Sequence, residues 1–329
     1  MKLADLLPHL LYSFPHESDL LKAIEELSRK FTTERHKIGD YLKDERLVSA
    51  YTAFYLMTNL PKLRSVMEWM PGDWIKDLNE CSLIDLGAGP GTFSFAWNEY
   101  FGKCPILQVE LSPVMRKQAR KLWDGFHSPG EMKQEGKPEG KCILLFGHSA
   151  NEMDVQDALD YISQYSPEHI LFIEPGTKEF FGKMLQIRRE IIKNGWHVLY
   201  PCPEESECPM LGTENWCHQF IHVKHDPDVE RLSQIMRKDR KLLPLTVQAF
   251  SRKVYPRVEE RLVRVLPETK FSFEWQVCHN NALEDYQVMK RGMDKTTEKN
   301  LGSILSGVEV KTEVEKVIAG KKRVRPRRS

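Results

Sequence analysis

The order of apolar and polar residues divides this chain into three parts. Up to residue 78, apolar positions recur at helical spacing, as they do from Leu20 to Phe31, and this predicts a helical N-terminal region. From residue 79 to 292, short apolar runs alternate with longer helical patterns, which is typical of a doubly wound α/β sheet. Residues 293–329 predict a C-terminal helix followed by a basic tail.

Within the middle part, the same pattern predicts the individual elements. The predicted strands are 82–86, 106–111, 142–146, 170–174, 196–200, 245–251, 271–277 and 286–290. The predicted helices are 92–100, 113–123, 155–165, 178–193 and a charged helix near 228–238. Residues 127–140 are rich in Gly, Pro and Lys, so we expect a polar loop that replaces or shortens one strand.

The charge of the chain is balanced as a whole but uneven along its length. The 48 Lys and Arg residues nearly cancel the 47 Asp and Glu residues, so the net charge of +1 gives no global preference for nucleic acid. After Glu315 the chain has no acid but carries a basic run: Lys316, Lys321, Lys322, Arg323, Arg325, Arg327 and Arg328. We expect this run either to contact RNA phosphates or to be a solvated tail.

The sequence predicts no membrane partner, because no apolar stretch approaches the ~20 residues that cross a bilayer. The N-terminal segment does not resemble a signal peptide, since Asp5 and Pro8 interrupt its apolar part. The seven cysteines are an odd number, which favours reduced thiols over a disulfide framework. A reducing compartment such as the cytoplasm is therefore expected.

A glycine-rich turn follows the first predicted strand. The strand contains Asp85, and Gly87, Gly89 and Gly91 then lead into a helix. Glycines without Cβ atoms let a ligand approach the backbone, and the helix N-terminus offers unpaired N–H groups. Glu110, at the end of the next strand, is placed to accept the ribose hydroxyls of a nucleoside cofactor.

Two cofactor classes fit this turn. A dinucleotide-binding turn has a further glycine at the position that Thr92 occupies. The Gly-x-Gly-x-Gly pattern with a preceding Asp instead resembles motif I of the class I S-adenosylmethionine (SAM)-dependent methyltransferases. We therefore favour SAM, bound by Asp85, the three glycines and Glu110, over a nicotinamide cofactor.

Four cysteines are a second candidate site. Cys202, Cys208 and Cys217 fall within sixteen residues, and Cys278 follows 61 residues later. Four thiolates satisfy either one tetrahedral zinc or one iron–sulfur cluster. The spacing matches no standard zinc pattern, and buried cysteine is also an ordinary core residue, so metal binding and scattered structural cysteines both remain open on spacing alone.

Several motifs together resemble one family. They are Leu-Ile-Asp-Leu-Gly-Ala-Gly-Pro-Gly-Thr at 83–92, Ile-Glu-Pro-Gly-Thr at 173–177, the Pro-Cys-Pro and Cys-Pro-Met pair at 201–210, and Trp-Cys-His-Gln-Phe at 216–220. In this order they resemble the methyltransferase-like proteins of the mitochondrial small ribosomal subunit and their bacterial relatives, over about residues 45–292. The chain departs from the family pattern at Gln219, an insertion that we expect to affect the local strand register.

The resemblance implies a Rossmann-like class I methyltransferase fold with an N-terminal helical cap and a C-terminal four-cysteine iron–sulfur knuckle at 201–220. It implies SAM as one cofactor and a [4Fe–4S] cluster as another, with zinc as the alternative. Carried over by motif, the cluster ligands would be Cys202, Cys208, Cys217 and Cys278. The implied partners are the small ribosomal subunit and its rRNA, in the cytoplasm or, in a eukaryote, the mitochondrial matrix.

No residue is singled out as catalytic. The Asn-Pro-Pro-Tyr and Asp-Pro-Pro-Tyr tetrapeptides that orient an exocyclic amine are missing from the sequence, and Glu174-Pro175-Gly176 is their nearest analogue. Pro201-Cys202 resembles a dipeptide of RNA cytosine-5 methyltransferases, but a cluster ligand is not a free nucleophile. The hypotheses are an rRNA-binding assembly or translation factor, an active rRNA methyltransferase, and a zinc-stabilised NAD-dependent dehydrogenase.

The first hypothesis also predicts an RNA-contacting surface after the cysteine knuckle. Basic and histidine side chains follow it closely, and with the basic tail they are expected to contact phosphates. They are His218, His222, Lys224, His225, Arg231, Arg237, Lys238, Arg240 and Lys241. The alternative is an ordinary solvated helix face.

Overall fold

The computed structural model describes residues 1–32, 41–128, 130–138, 140–238 and 240–327. Its helices are α1 Leu3–Leu6, α2 Glu17–Thr32, α3 Glu45–Tyr51, α4 Met57–Asn59, α5 Lys62–Met67, α6 Gly72–Leu78, α7 Thr92–Phe101, α8 Pro113–Gly125, α9 Val155–Tyr165, α10 Lys178–Lys193, α11 Pro227–Ile235 and α12 Lys295–Gly302. Short 3₁₀ turns at Leu7–His9 and Ala150–Glu152 and a π-helical turn at Thr52–Leu56 accompany them.

The strands are β1 Ser82–Leu86, β2 Ile106–Val109, β3 Met132–Lys133, β4 Cys142–Gly147, β5 His169–Pro175, β6 His197–Tyr200, β7 Gln219–His222, β8 Leu242–Ser251, β9 Glu260–Leu266, β10 Ser272–His279, β11 Ala282–Met289, β12 Thr312–Ile318 and β13 Lys321–Pro326. The chain divides into two compact units. The first comprises 1–68, 75–149 and 222–243, and the second comprises 69–74, 150–221 and 244–329.

Four parallel strands form the centre of the first unit, in the order β3-β2-β1-β4. Asp85 of β1 lies opposite Gln108 of β2, and Leu86 lies opposite Phe146 of β4. All five residues of β1 are buried, as expected for a central strand that both faces cover. Because parallel strands run the same way, the carboxyl ends of β1, β2 and β4 meet at one edge, where the glycine turn begins.

In the second unit an antiparallel strand lies between two others. β8 pairs with β5 on one side and with β6 on the other, antiparallel to both. The β5 strand is almost fully buried, and α9 and α10 pack against each other after their strands. Parallel β-α units together with one antiparallel strand inserted between β5 and β6 define an α/β, Rossmann-like methyltransferase fold. The all-parallel doubly wound sheet of a dinucleotide-binding fold has no such strand.

The last five strands of the second unit form a small sheet that closes on itself, here called the C-terminal barrel (residues 260–327). Its order is β12-β13-β11-β10-β9, and the segment before β12 pairs back onto β9 through Leu262 N–H, which donates to Val308 O at 3.0 Å. Trp275, Tyr286 and Val324 are among the residues of its apolar interior.

The predicted elements are mostly confirmed, with boundaries shifted by a few residues. Helices 155–165 and 178–193 and strand 82–86 occur as predicted, and the polar 127–140 segment shortens one strand to the two residues of β3. Strands β7 and β9 were not predicted. The sequence pattern missed them because each is short or interrupted by charge, and only pairing with a neighbour makes it a strand.

The prediction of a basic tail needs correction. A C-terminal helix does occur at α12, but most of the basic run that follows lies in the ordered hairpin of β12 and β13. The hairpin is ordered because Val324 is fully buried in the barrel and β13 pairs with β11. Arg328 lies outside the described residues. The two compact units also group the chain differently from the predicted domains 1–78, 79–292 and 293–329.

Candidate cofactor and metal sites

The three glycines of the turn all have positive φ, at 66° for Gly87, 54° for Gly89 and 92° for Gly91. A Cβ atom on Gly87 would lie 2.5 Å from Ser149 Cβ, and one on Gly91 would lie 2.7 Å from Gln108 Nε2. A Cβ on Gly89 would meet nothing within 4 Å. Two glycines are therefore required by packing, whereas Gly89 borders open space into which a ligand can fit.

Glu110 lies against this turn. Its Oε2 accepts a hydrogen bond from Gly89 N–H at 2.8 Å, and its Oε1 accepts one from Ser112 N–H at 2.7 Å. Ser112 is also the N-cap of α8, so the carboxylate is held between the turn and the next helix. Each oxygen retains a second lone pair, which is what binding ribose hydroxyls requires.

Asp85 has a different environment. Its side chain is 1 % exposed, and its Oδ2 accepts hydrogen bonds from Ser94 N–H at 2.9 Å and Ser94 Oγ–H at 2.7 Å. Burial raises the pKa of this carboxyl to about 6, and the hydrogen bonds from Ser94 oppose that shift. Asp85 thus positions the first turn of α7 beneath the glycine turn.

A Lys–His pair lies at the carboxyl end of β4, beside the turn. Lys62 is 4 % exposed, and its Nζ lies 2.7 Å from His148 Nε2. The His148 ring stacks on Phe93 with centroids 6.2 Å apart, and its backbone has a φ of 62°. Burial, reinforced by the charge of Lys62, holds the pKa of His148 well below its usual value of 6.5. No sequence motif indicates this pair, since Lys62 comes from a helix far away in sequence.

The four predicted metal ligands come together in the second unit. Cys202, Cys208, Cys217 and Cys278 all line one cavity of about 40 Å³. That volume is several times the ~10–15 Å³ that a single water requires. Three of these cysteines also pack in an apolar cluster with Phe181, so the space beside the sulfurs is shielded by carbon.

Burial raises the pKa of three thiols of this cavity. Burial, together with the neighbouring cysteines, raises the pKa of Cys208 to about 11 and that of Cys278 to about 12, and raises that of Cys217 well above its usual value of 9.0. The thiolate forms therefore need a nearby positive charge. This is the chemistry expected of a thiol set that a metal centre deprotonates.

Two buried arginines frame the same cavity. Arg188, 4 % exposed, donates from Nη1 to Ser206 O at 2.9 Å and from Nη2 to Glu204 O at 2.8 Å, which ties the cysteine loop to α10. Its Nε is buried without a hydrogen-bond partner among the described residues. Arg261, on β9, donates to Pro201 O at 3.0 Å and to Gly307 O at 2.9 Å. Both guanidinium groups provide positive charge to an anionic occupant.

Within the described ranges, no group of three or more His, Cys, Asp or Glu residues is arranged to hold a single metal ion. Zinc and an iron–sulfur cluster both take thiolate ligands, so the four cysteines of the cavity are chemically suited to either.

Two residues noted in the sequence have structural roles in the second unit. Gln219 begins β7, its Oε1 accepts from Val247 N–H at 2.8 Å, and its Nε2 lies 3.5 Å from Cys217 Sγ. Glu174 is fully buried and accepts hydrogen bonds from Ala150 N–H at 2.8 Å and Asn151 Nδ2 at 3.0 Å. Glu174 thus fixes the turn at 150–151 and does not resemble a base-orienting group.

The basic residues after the knuckle make contacts within the first unit. Arg231 forms an ion pair with Glu17 at 2.6 Å, Lys238 hydrogen bonds to Ser28, and Arg240 lies 5.6 Å from the ring centre of Tyr55. These contacts limit how many of the predicted charges are available to a phosphate. The RNA surface that the sequence analysis places between His218 and Lys241 stays a prediction.

The fold and the glycine turn define a methyltransferase-like protein. The family model described as mitochondrial small ribosomal subunit Rsm22 matches residues 45–269. The chain therefore belongs to this Rsm22 family. No curated protein matches it in sequence.

Several solved methyltransferases match parts of the structure. A putative RNA methyltransferase from Pyrococcus horikoshii is 11% identical, with 72% of this chain and 98% of that chain covered and a TM-score of 0.36. Magnesium protoporphyrin IX methyltransferase from Synechocystis PCC 6803 with bound SAM is 10% identical, with 73% and 100% covered and a TM-score of 0.37. A ribosomal protein L11 methylase from Lactobacillus delbrueckii subsp. bulgaricus is 12% identical, with 53% and 70% covered and a TM-score of 0.31.

Among the described helices, none combines the length and the apolar character needed to cross a bilayer.

Proposed function

We propose that this protein is an rRNA-binding factor for assembly or translation of the small ribosomal subunit, with a SAM pocket and a [4Fe–4S] cluster. The observation that carries the proposal is the match of 45–269 to a family named for the mitochondrial small ribosomal subunit, in a chain whose four predicted cluster ligands line one cavity. Its location would be the ribosome, in the cytoplasm or, in a eukaryote, the mitochondrial matrix.

The SAM pocket is supported by the open space at Gly89 and by the position of Glu110. Gly89 N–H and the carboxylate of Glu110 are 2.8 Å apart, so a nucleoside bound there would meet both groups. Asp85 would contribute by holding α7 in place, and Gly87 and Gly91 by allowing close packing of the turn. SAM would supply the methyl group if transfer occurs.

The cluster is supported by the buried thiols and their two arginines. Cys202, Cys208, Cys217 and Cys278 would hold the irons, and Arg188 and Arg261 would balance the net negative charge of a thiolate-ligated cluster. The cluster would have a structural role in this chain. Residues 201–218 contain no helix or strand, so a cluster would fasten this segment to β10 through Cys278.

A second candidate function is active rRNA methylation. The observation that favours it is the Lys62–His148 pair, which lies at the carboxyl end of β4, at the strand edge where the glycine turn also lies. Because Nε2 accepts from Lys62, the neutral imidazole carries its proton on Nδ1, and it would act on a nucleobase as a hydrogen-bond donor that orients the base for methyl transfer. The NAD-dependent dehydrogenase hypothesis receives no such support, because antiparallel β8 separates β5 from β6.

The decisive test begins with purification in the absence of oxygen. Protein with a cluster is expected to be brown and to contain iron and acid-labile sulfide, and replacing Cys202, Cys208, Cys217 or Cys278 by Ser should remove the colour. Cys142→Ser is the control, since Cys142 is a buried free cysteine that begins β4 in the other unit and does not line the cavity. A colourless wild-type protein with bound zinc would contradict the iron assignment.

Association with the ribosome is tested separately. Purified small ribosomal subunits and their naked rRNA are titrated with the protein at several salt concentrations, and binding should weaken as salt rises. Labelled SAM added to immature subunits separates the two candidates, because incorporation of label into rRNA requires an active enzyme. Absence of binding to both subunits and rRNA would refute the ribosomal function.

A further inference from the structure

The C-terminal barrel has the topology of an oligonucleotide-binding (OB) barrel. β9, β10 and β11 form an antiparallel meander, α12 follows, and β12 and β13 form an antiparallel hairpin. β13 lies parallel to β11, and the segment leading into β12 pairs antiparallel with β9 at Arg261 and Glu309. A five-stranded barrel with this Greek-key connection and a helix between its third and fourth strands is the OB architecture.

The interior of the barrel confirms that the sheet is closed. Side chains from β9, β10, β11 and β13 and from the segment before β12 meet in one buried cluster, and Leu301 of α12 packs against it. Side chains alternate along β11, with Tyr286 and Val288 buried inside and Asp285 and Gln287 partly exposed outside. The outer face of β10 and β11 is therefore a surface distinct from the core.

This outer face is polar and has unused hydrogen-bonding atoms. Glu274 lies opposite Gln287, which in turn lies opposite Arg323, and Gln276 lies opposite Asp285. Among the described residues, Arg323 Nε and Gln276 Oε1 are both buried without a hydrogen-bond partner. Because buried polar atoms are rarely left unpaired, these two atoms indicate a polar ligand on this face.

The charge of the adjoining β12–β13 hairpin indicates the sign of the charge on that ligand. From residue 311 to 327 the sequence has seven Lys and Arg residues and two Glu residues. Four of these cations form ion pairs: Lys311 with Glu309 at 3.6 Å, Lys321 with Glu274 at 3.1 Å, Lys322 with Glu284 at 2.6 Å, and Arg325 with Glu315. The hairpin still keeps a positive net charge, which is complementary to phosphate.

The loop between β9 and β10 adds an exposed aromatic ring. Phe271 is 67 % exposed, and Lys270 Nζ lies 5.8 Å from its ring centre. An exposed ring next to a cation is a platform on which an unpaired base can stack. In OB barrels, oligonucleotides bind across the second and third strands between the first and last hairpin loops, which here are the 267–271 loop and the 319–320 turn.

We propose that the outer face of β10 and β11, with the β12–β13 hairpin and Phe271, binds single-stranded RNA. Arg323 and the hairpin cations contact phosphates, the amides of Gln276 and Gln287 contact base edges or 2′-hydroxyls, and Phe271 stacks on a base. The proposal rests on the RNA-binding function proposed above and assigns it to the part of this face around Gln276 and Gln287, because further along β10 the same face carries Cys278, which lines the cysteine cavity.

The test uses the full-length protein, a labelled single-stranded RNA of mixed sequence, a duplex of the same length, and small ribosomal subunits. Arg323→Gln with Arg325→Gln is expected to lower the slope of log affinity against log salt by ~1.4, at ~0.7 per phosphate contact. Phe271→Ala is expected to weaken single-strand binding roughly 5- to 100-fold. Lys295→Ala with Lys299→Ala, on the exposed surface of α12, is the charge-matched control and should change neither quantity.

The outcomes separate this proposal from the ribosomal function. If small subunits bind to the wild type and to the barrel variants with equal affinity, the barrel is not the RNA contact, but the ribosomal function stands. If the duplex binds as tightly as the single strand and Phe271→Ala has no effect, the single-strand assignment is overturned. If the wild type binds neither RNA nor subunits, the ribosomal function itself fails. Thermal unfolding of each variant verifies that the barrel is intact.

Discussion

Lys62 Nζ lies 2.7 Å from His148 Nε2, so a lysine of the N-terminal helices donates to a histidine that ends a central strand. This contact joins residues 86 positions apart and places a neutral imidazole at the strand edge that carries the glycine turn. The ring of Phe93, from the first turn of α7, is stacked with the imidazole. The N-terminal region thus contributes a buried polar group that contacts the residue directly after β4.

The first prediction concerns the pH dependence that His148 causes. Its pKa is depressed in the folded state, so the unfolded chain binds the proton first and stability is lost as pH falls below about 6.5. His148→Gln should remove up to about 1.4 kcal/mol of this loss per pH unit, measured by urea unfolding at pH 7.5, 6.5 and 5.5. His127→Asn, at an exposed site, is the control and should retain the wild-type dependence.

A companion measurement identifies the cause of that shift. Lys62→Met removes the neighbouring positive charge, so the pKa of His148 should rise, as followed by NMR titration of the imidazole. An unchanged or lower pKa would mean that Lys62 is not charged in the folded protein.

The second prediction concerns SAM binding. Gly89→Ala should lower SAM affinity roughly tenfold or more, because the added methyl group enters the open space of the pocket and overpacking costs about 1–3 kcal/mol. Gly102→Ala is the matched control. Gly102 also has a positive φ and open space around it, but it lies at the C-terminal end of α7 and not in the glycine turn. Glu110→Ala should cost about 1.5–3 kcal/mol in calorimetry by removing charged hydrogen bonds. Wild-type protein that binds neither SAM nor its demethylated product would reveal a vestigial pocket.

The third prediction concerns Asp85. Its folded pKa of about 6 lies above the usual 3.8, so the folded state keeps the proton longer and stability falls as pH rises between those values. Asp85→Asn should remove this fall, and its stability relative to wild type should improve by about 2 kcal/mol from pH 4.5 to pH 7.5. Asp154→Asn, at the exposed N-cap of α9, should give a constant difference. If the stability of Asp85→Asn relative to wild type does not change between pH 4.5 and pH 7.5, the folded pKa of Asp85 is not raised.

The fourth prediction compares adjacent arginines on α10. Arg188 holds two carbonyls of the cysteine loop, and its removal leaves them unpaired, so Arg188→Met should destabilise the protein by about 1–3 kcal/mol and increase proteolysis at 201–208. Arg189→Met removes only an exposed ion pair with Glu207 and should cost less than about 1 kcal/mol. Equal effects of the two substitutions would contradict the role given to Arg188.

The sequence by itself determined the parts of this protein that depend on local pattern. Strand β1, helices α9 and α10 and the glycine turn were all predicted, because a buried strand, an amphipathic helix and a Gly-rich bend each have a signature within a few residues. The family resemblance was also carried by short motifs, and the match to 45–269 confirms it.

Only the tertiary structure decided which residues far apart in sequence come into contact. The contacts of Lys62 with His148 and of Arg188 with the cysteine loop join segments that are far apart in sequence, and periodicity does not encode them. The grouping of Cys278 with Cys202 was expected from the family resemblance, and the structure places both at one cavity. The basic run after Glu315 is the clearest case. Its composition predicts a basic tail, either solvated or in contact with RNA, but strand pairing and one buried valine, Val324, place most of it in the β12–β13 hairpin of a closed barrel.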